Sequence, residues 1–292
     1  MTKYFFIIYD LILLLLAIFI KTISFKSFNR KKYLSIKKVK KTIIIVNGPS
    51  LKKDIKNLIA KKDKFEFYVV NYFALKKEFK IIKPDIYVLA DAVFWRKDTN
   101  NEFKKDNFKL YNNLSKVNWD MSLLCPREGF KIVSLKLKKN KYIKVIPIKS
   151  NFFNFKIEKI NILSLTKGIT TPYFINVLIL SLWHAIQRRI PYIEIYGADF
   201  SGFKEFRVNQ QTNELNSLYT HYYKNTEAQK NADHKYQGKP KKKLHNRLFQ
   251  IWNAFNQMYL LSVVAKKLKI KVINCSHNSY IDSIDRPKYI KK

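Results

Sequence analysis

Cysteine is nearly absent: Cys125 and Cys275 are the only two in 292 residues. Two such thiols give neither a disulfide scaffold nor a zinc-ligand spacing. Glycine is scarce as well, at six residues. The sequence has no G-x-G-x-x-G run and no Walker-type Gly-Lys-Ser/Thr, so it lacks both common glycine-rich phosphate loops. Acidic residues are few: 21 Asp and Glu stand against 57 Lys and Arg, a formal charge of +36. A field of that sign favours anionic partners such as nucleic acid, lipid headgroups or sugar phosphates. The other reading is a lysine-rich surface that is simply solvated. No DNA-binding or RNA-binding motif accompanies the charge, and no internal repeat is present.

The chain has the means to fold. It is 47% hydrophobic and 15% aromatic, which excludes a disordered protein. Its length suits one large domain or a domain with an appendage. Tyr4 to Ile20 reads YFFIIYDLILLLLAIFI, broken only by Asp10, and is near the short end of a membrane span. Asp10 is costly at mid-membrane unless it is paired or near the interface. Lys21, Lys26, Arg30, Lys31, Lys32, Lys37, Lys38, Lys40 and Lys41 follow the run, whereas only Lys3 precedes it. The positive-inside rule then predicts a single-pass anchor over residues 1–23 in the inner membrane. A basic stem follows over 24–40, with the rest in the cytoplasm. No A-x-A-like site follows the run, which argues against a cleaved signal peptide. A core or interfacial helix is the alternative.

Beyond Lys41, short apolar runs alternate with helical patterns. Strands are expected at Thr42–Asn47, Phe65–Asn71, Asp85–Ala90, Met121–Pro126, Tyr142–Ile148, Tyr192–Gly197 and Lys271–Cys275. Several are almost continuously apolar, as buried parallel strands are. Long helices are expected from Tyr173 to Arg189 and from about Asn246 to Leu268. The fold class is therefore α/β. A single Rossmann-like domain with a mostly parallel sheet covers residues 41–292, behind an N-terminal transmembrane helix. Residues 201–245 are polar, aperiodic and too long for a connection, and are expected to form a lid insertion.

Ligands of open α/β sheets bind beyond the carboxyl ends of the strands. Asn47-Gly48-Pro49-Ser50 follows the first strand. Gly48 permits close backbone approach, and Ser50 can cap a helix whose N-terminus would favour an anion. A plain strand-to-helix turn is an equal reading. Asn71 and Asp91 end the next two strands, each a reader of base or sugar or else a turn residue. Thr170 and Thr171 precede Pro172 and are expected to cap the long helix, where a phosphate could also sit. Gly197 and Asp199, with Ser201, end a strong strand. His184 lies within an apolar helix and reads as a core or interface residue. No metal-ligand set is recognised.

The stretches IIIVNGPSL, VVNYFAL, YVLADAVFW, GITTPYFINVLILSLWHA, IEIYGADFSGF and VINCSHNSYIDSIDR, taken in this order, resemble a group of bacterial proteins. These are the 6-hydroxymethylpterin diphosphokinase MptE-like or motility-accessory-factor-like proteins. The group looks related to the bacterial α-2,3/2,8-sialyltransferases of lipooligosaccharide and capsule synthesis. The resemblance covers roughly residues 41–287. It implies a Rossmann-like domain with a lid that takes a CMP-linked sugar donor, uses no metal or other cofactor, and inverts the anomeric carbon. On this resemblance Asn47, Gly48, Pro49 and Ser50 contact the nucleotide, Asn71 and Asp91 read it, and Thr170, Thr171, Gly197 and Asp199 complete the site. Asp91 stands where the family has Asn. Ser201 stands where the family has a phosphate-binding Tyr, so lid tyrosines such as Tyr222 and Tyr236 would take over. His245 or His221 would be the base that takes the acceptor's proton.

The expected activity is a membrane-anchored, sialyltransferase-like glycosyltransferase of lipopolysaccharide or capsule synthesis. It would act on a nucleotide-sugar and a glycan or lipid-linked acceptor; a homo-oligomer is left open. One alternative is a magnesium-dependent pterin diphosphokinase, for which Asp91 and Asp199 could hold the metal. Another is a basic membrane protein without catalysis that binds anionic partners.

Overall fold

A computed structural model describes residues 2–26, 39–96, 101–216 and 243–287. Helix α1 (Thr2–Lys26) carries the apolar run. The domain follows in the order β1 (Lys41–Ile45), α2 (Leu51–Ile59), β2 (Glu66–Val70), α3 (Glu78–Ile82), β3 (Ile86–Val88) and α4 (Asn101–Ser115). Then come β4 (Met121–Pro126), α5 (Arg127–Leu137), β5 (Ile143–Ile148), α6 (Glu158–Thr166), α7 (Val177–Gln187) and β6 (Tyr192–Tyr196). A two-strand hairpin, β7 (Arg207–Val208) and β8 (Leu215–Asn216), precedes α8 (Leu244–Lys267) and β9 (Lys271–Asn274).

The seven strands expected from the sequence all form, and all pair in parallel in the order β5-β4-β3-β2-β1-β6-β9. Both faces are covered, which is why the strands read as unbroken apolar runs. Ile43 and Ile45 of β1 face a core layer shared with α2 to α5. Ile44, between them, faces a second layer built with α6, α7 and α8. Successive residues of a strand point to opposite faces, so one short Ile run serves two cores.

The second layer also holds a buried polar cluster. Arg188 Nη1 and Nη2 donate to the two carboxylate oxygens of Glu66 at 2.6 and 2.9 Å. Arg188 also donates to the Tyr68 hydroxyl at 2.8 Å. Tyr68 lies 2.9 Å from Nδ1 of His184, which is a core residue as its apolar helix implied. Burial, helped by the Arg188 charge, pushes the His184 pKa down to about 3.

The helix expected from Tyr173 starts later, at Val177. Asn176 is its N-cap, and its side chain accepts the Ile179 N–H at 3.0 Å. Thr171 therefore does not cap it. The polar stretch 201–245 is described only at its ends: the turn Gly202–Glu205, the hairpin, and the first residues of α8. His221, Tyr222 and Tyr236 lie outside the described residues.

Candidate functional site

The chain enters the sheet at β1, builds outward to β5, then returns to place β6 on the other side of β1. The loops after β1 and β6 are thus neighbours at the topological switch point, where open α/β sheets bind ligands. A cleft of about 890 Å³ opens there. It is formed by the loops after β1, β2, β3 and β6, the entry to α7, and one face of α8.

The two loops at the switch point are stitched together. The Gly48 N–H donates to the Gly197 carbonyl at 2.8 Å, and the Val46 N–H to the Tyr196 carbonyl at 2.8 Å. A Cβ at Gly48 would lie 2.3 Å from the Gly197 oxygen and 2.7 Å from Cγ of Asp199. Gly197 itself has φ 69°. Gly48 is therefore needed for the approach of the chain to itself, whatever ligand it also meets.

Ser50 is the N-cap residue of α2, yet its side chain makes no capping bond. Asp199 supplies one instead: Oδ2 accepts the Ser50 N–H at 2.9 Å, and the Ser50 hydroxyl donates to Oδ1. The expected anion site at this helix N-terminus is thus filled by a carboxylate of the chain itself. The same bonds occupy both oxygens of Asp199, one of the two carboxylates a magnesium-dependent kinase would use.

Asn47 is 3% exposed and lines the cleft. Its amide nitrogen donates to the Val70 carbonyl at 3.0 Å. That bond fixes the amide's orientation, and Oδ1 has no protein partner. Asn71 lies beside it with φ 51°, a left-handed conformation that Asn tolerates. Its backbone carbonyl accepts the Tyr87 hydroxyl, and its side-chain Oδ1 has no protein partner. Asp91, exposed at the rim, caps the short turn Ala92–Phe94 by accepting the Val93 N–H at 3.0 Å. Ser201 also lines the cleft.

Three expected site residues lie elsewhere. Thr170 is buried, its hydroxyl 2.7 Å from that of Ser164. The Thr171 hydroxyl accepts the Asn151 N–H at 2.9 Å. These bonds pin the connection between α6 and α7, and neither threonine lines the cleft. His245 is exposed in the first turn of α8. Arg247, Gln250, Ile251 and Ala254 turn one helix face to the cleft. His245 is two positions before Arg247, rotated about 200° from it, and so belongs to the far side.

Sequence reading missed Arg247, Gln250 and Asn176 in the cleft. Arg247 Nη1 donates to Gln250 Oε1 at 3.1 Å, so a cation stands on the wall across from the asparagines. The period of 247, 250, 251, 254 and 255 was legible as a helix face, but not which way it looked. Phe255 forms the rest of that wall, edge-on to Phe200 at 5.5 Å and to Phe203 at 6.3 Å. Another histidine at a strand end, His277, sits 3.1 Å from Asp54 of α2 and lies outside the cleft. Burial raises the Asp54 carboxyl against the lowering pull of His277.

No protein-family model and no curated protein sequence matches the chain. Among solved structures, that of the MAf glycosyltransferase from Magnetospirillum magneticum AMB-1 is similar at 10% identity and a TM-score of 0.46. The match covers 87% of this chain and 34% of that one, so the chain spans about a third of its length.

Proposed function

We propose that the protein is a membrane-bound glycosyltransferase of surface glycan synthesis. It moves a sugar from a CMP-linked donor to a glycan or lipid-linked acceptor. The observation that carries this reading is the pair of unpartnered amide oxygens, Asn47 Oδ1 and Asn71 Oδ1, at the switch point. The cleft of about 890 Å³ falls within the usual range for small-molecule sites, about 300–1,000 Å³. A buried acceptor needs an N–H or O–H donor to offset its lost hydration. The cytosine amino group and the ribose hydroxyls are such donors, whereas an ionised phosphate is not. Base and ribose are therefore assigned to the asparagine side, with Asp91 at the rim, and the phosphate to the side of Arg247 and Ser201.

In this reading the acceptor's hydroxyl oxygen attacks the anomeric carbon while that carbon's bond to the phosphate oxygen breaks. CMP leaves with the bonding electrons, the configuration inverts, and a base takes the acceptor's proton. Arg247 offsets the charge of the leaving phosphate and the phenols of Tyr222 and Tyr236 donate hydrogen bonds to it, in place of a metal ion. Of the two candidate bases we assign His221, because His245 lies off the cleft-facing side of α8.

The test is calorimetric titration of the full-length chain in detergent with CMP, UDP, GDP and ATP, with and without Mg²⁺. Asn71→Gly is the sharpest variant: glycine accepts the left-handed backbone, so only the amide is lost. The expected result is a preference for CMP that is independent of Mg²⁺ and about tenfold weaker in Asn71→Gly, near 1.4 kcal/mol. Preference for ATP with Mg²⁺ would replace this reading by the diphosphokinase. Equal weak binding of all four, fading with salt, would leave only a basic surface.

A further inference from the structure

Helix α1 lies along the domain. Asp10, at the middle of the apolar run, is fully buried. Its two carboxylate oxygens accept the backbone N–H groups of Lys156 at 3.0 Å and Ile157 at 2.7 Å. Ile157 is the N-cap position of α6, so an α1 carboxylate caps α6. Ala17, seven residues on, is also fully buried. The Lys21 ammonium donates to the Lys167 carbonyl, at the far end of α6, at 3.4 Å. Positions 10, 17 and 21 share one helix face, so α1 runs beside α6 for its whole length.

The opposite face of α1 presents Tyr4, Ile8, Ile12, Leu15, Phe19 and Ile23, each more than half exposed. It carries no charge. From Asp10 to Lys21 the helix rises about 16 Å, and the apolar residues between Lys3 and Asp10 add only about 9 Å. A hydrocarbon core is about 30 Å thick. The docked stretch cannot lie inside that core, because α6 beside it exposes Glu158, Lys159 and Lys167. A second apolar face adjoins. On α8, Leu248, Phe249 and Trp252 are more than half exposed, with the Phe249 and Trp252 rings stacked at 5.9 Å. Tyr259, further along α8, donates its hydroxyl to Glu158 of α6 at 3.1 Å. The other side of α8 is the wall of the cleft.

We propose that the protein is monotopic. Helix α1 stays docked through Asp10 and lies in the membrane interface, and its outer face and the Leu248–Phe249–Trp252 face of α8 enter the same leaflet. The occupant of both faces is an anionic bilayer: exposed Lys156, Lys159 and Lys167 flank α6 at headgroup depth. The cleft wall then stands on the lipid surface, where a lipid-linked acceptor arrives. This proposal rests on the membrane part of the reading above and replaces the single-pass anchor expected from the sequence; it is independent of the donor.

Two measurements on the full-length chain test it. The native cysteines are buried, so Thr2→Cys gives one reporter for a membrane-impermeant maleimide. Spheroplasts are labelled intact and after lysis. Protection in intact cells, with full labelling after lysis, is expected. Equal labelling in both means a crossing helix and overturns the proposal while leaving membrane attachment standing. Recovery of the chain entirely in the soluble fraction overturns both. On vesicles of phosphatidylethanolamine and phosphatidylglycerol, brominated lipid is expected to quench emission by at least a third, and Trp252→Phe to abolish the quenching. No quenching, or equal quenching in Trp252→Phe, removes α8 from the membrane face.

Discussion

The two ends of the parallel sheet make an instructive pair. At the amino ends of the strands lies a hollow of about 1340 Å³, larger than the cleft at the carboxyl ends. Lys40, Lys41, Lys62, Lys64, Lys83, Lys141 and Lys144 line it. It is the more charged and the roomier of the two, but its groups do not converge. Its Glu66 is taken by Arg188, and its Asp85 accepts the Phe67 N–H at 2.9 Å. Three of these lysines sit where helices end: Lys62 and Lys64 follow α2, and Lys83 is the C-cap of α3. Cations there offset the exposed carbonyls of the helix dipole. The same habit puts Lys167 after α6, Arg188 and Arg189 after α7, and Lys266 and Lys267 in the last turn of α8. Part of the +36 charge is thus helix termination. Among the described residues the carboxyl end is nearly neutral, but it gathers unpaired acceptors, one cation and an aromatic wall in one place. Convergence, more than size or charge, marks the candidate site.

The contrast can be broken in several ways. The largest effect is expected from Arg188→Met, which strands Glu66 as an uncompensated buried charge. It should cost about 3–5 kcal/mol in chemical denaturation, while the folded fraction keeps its nucleotide affinity. Gly48→Ala comes next. The Cβ must displace the Gly197 carbonyl, so about 1–3 kcal/mol of stability should go, and here nucleotide binding should go with it. A mutation that costs stability and spares binding at one end, and costs both at the other, separates scaffold from site.

His184 sharpens the comparison through pH. Its folded pKa is held near 3, below the ordinary 6.5, so between these values the unfolded chain binds a proton that the folded chain does not. Stability should fall as pH drops below about 6.5, by roughly 1.4 kcal/mol per unit from this group, until His184 itself protonates. Denaturation curves from pH 6.5 to 5 should flatten in His184→Gln by about that slope; an unchanged slope would disprove it. The smallest effect belongs to the amino-end hollow. Lys141→Gln with Lys144→Gln should change CMP affinity less than twofold at 150 mM salt. A larger loss would mean that the lysine hollow, and not the cleft, holds the anion.

Legibility differed between scaffold and site. Asn47, Asn71, Asp91 and Ser201 were singled out as residues following strands, and they do line the cleft. That inference needs only the strand ends. Thr170 and Thr171 were singled out as helix caps, and the inference failed because α7 begins at Val177, with Asn176 as its N-cap. Residues 172–176 are apolar enough to pass for a first turn, although α7 does not include them. His245 was expected as a base on the resemblance, at the start of the last long helix, but side-chain direction on a helix turns by about 100° per residue. Two positions decide whether a group enters the cleft.

The sequence by itself determined the seven strands, their parallel sheet and the apolar length of α1. Each of these is a local pattern, because a strand buried on both faces must be apolar at every position. Tertiary structure alone decided which polar groups are spent on the fold and which remain for chemistry. Asp199 is engaged by Ser50, 149 residues away, and Asp10 by Lys156, 146 residues away. Nothing in the spacing of either carboxylate reveals its partner. A buried carboxylate takes whatever donors the packed chain brings within about 3 Å, and only the packing of distant segments says which donors those are.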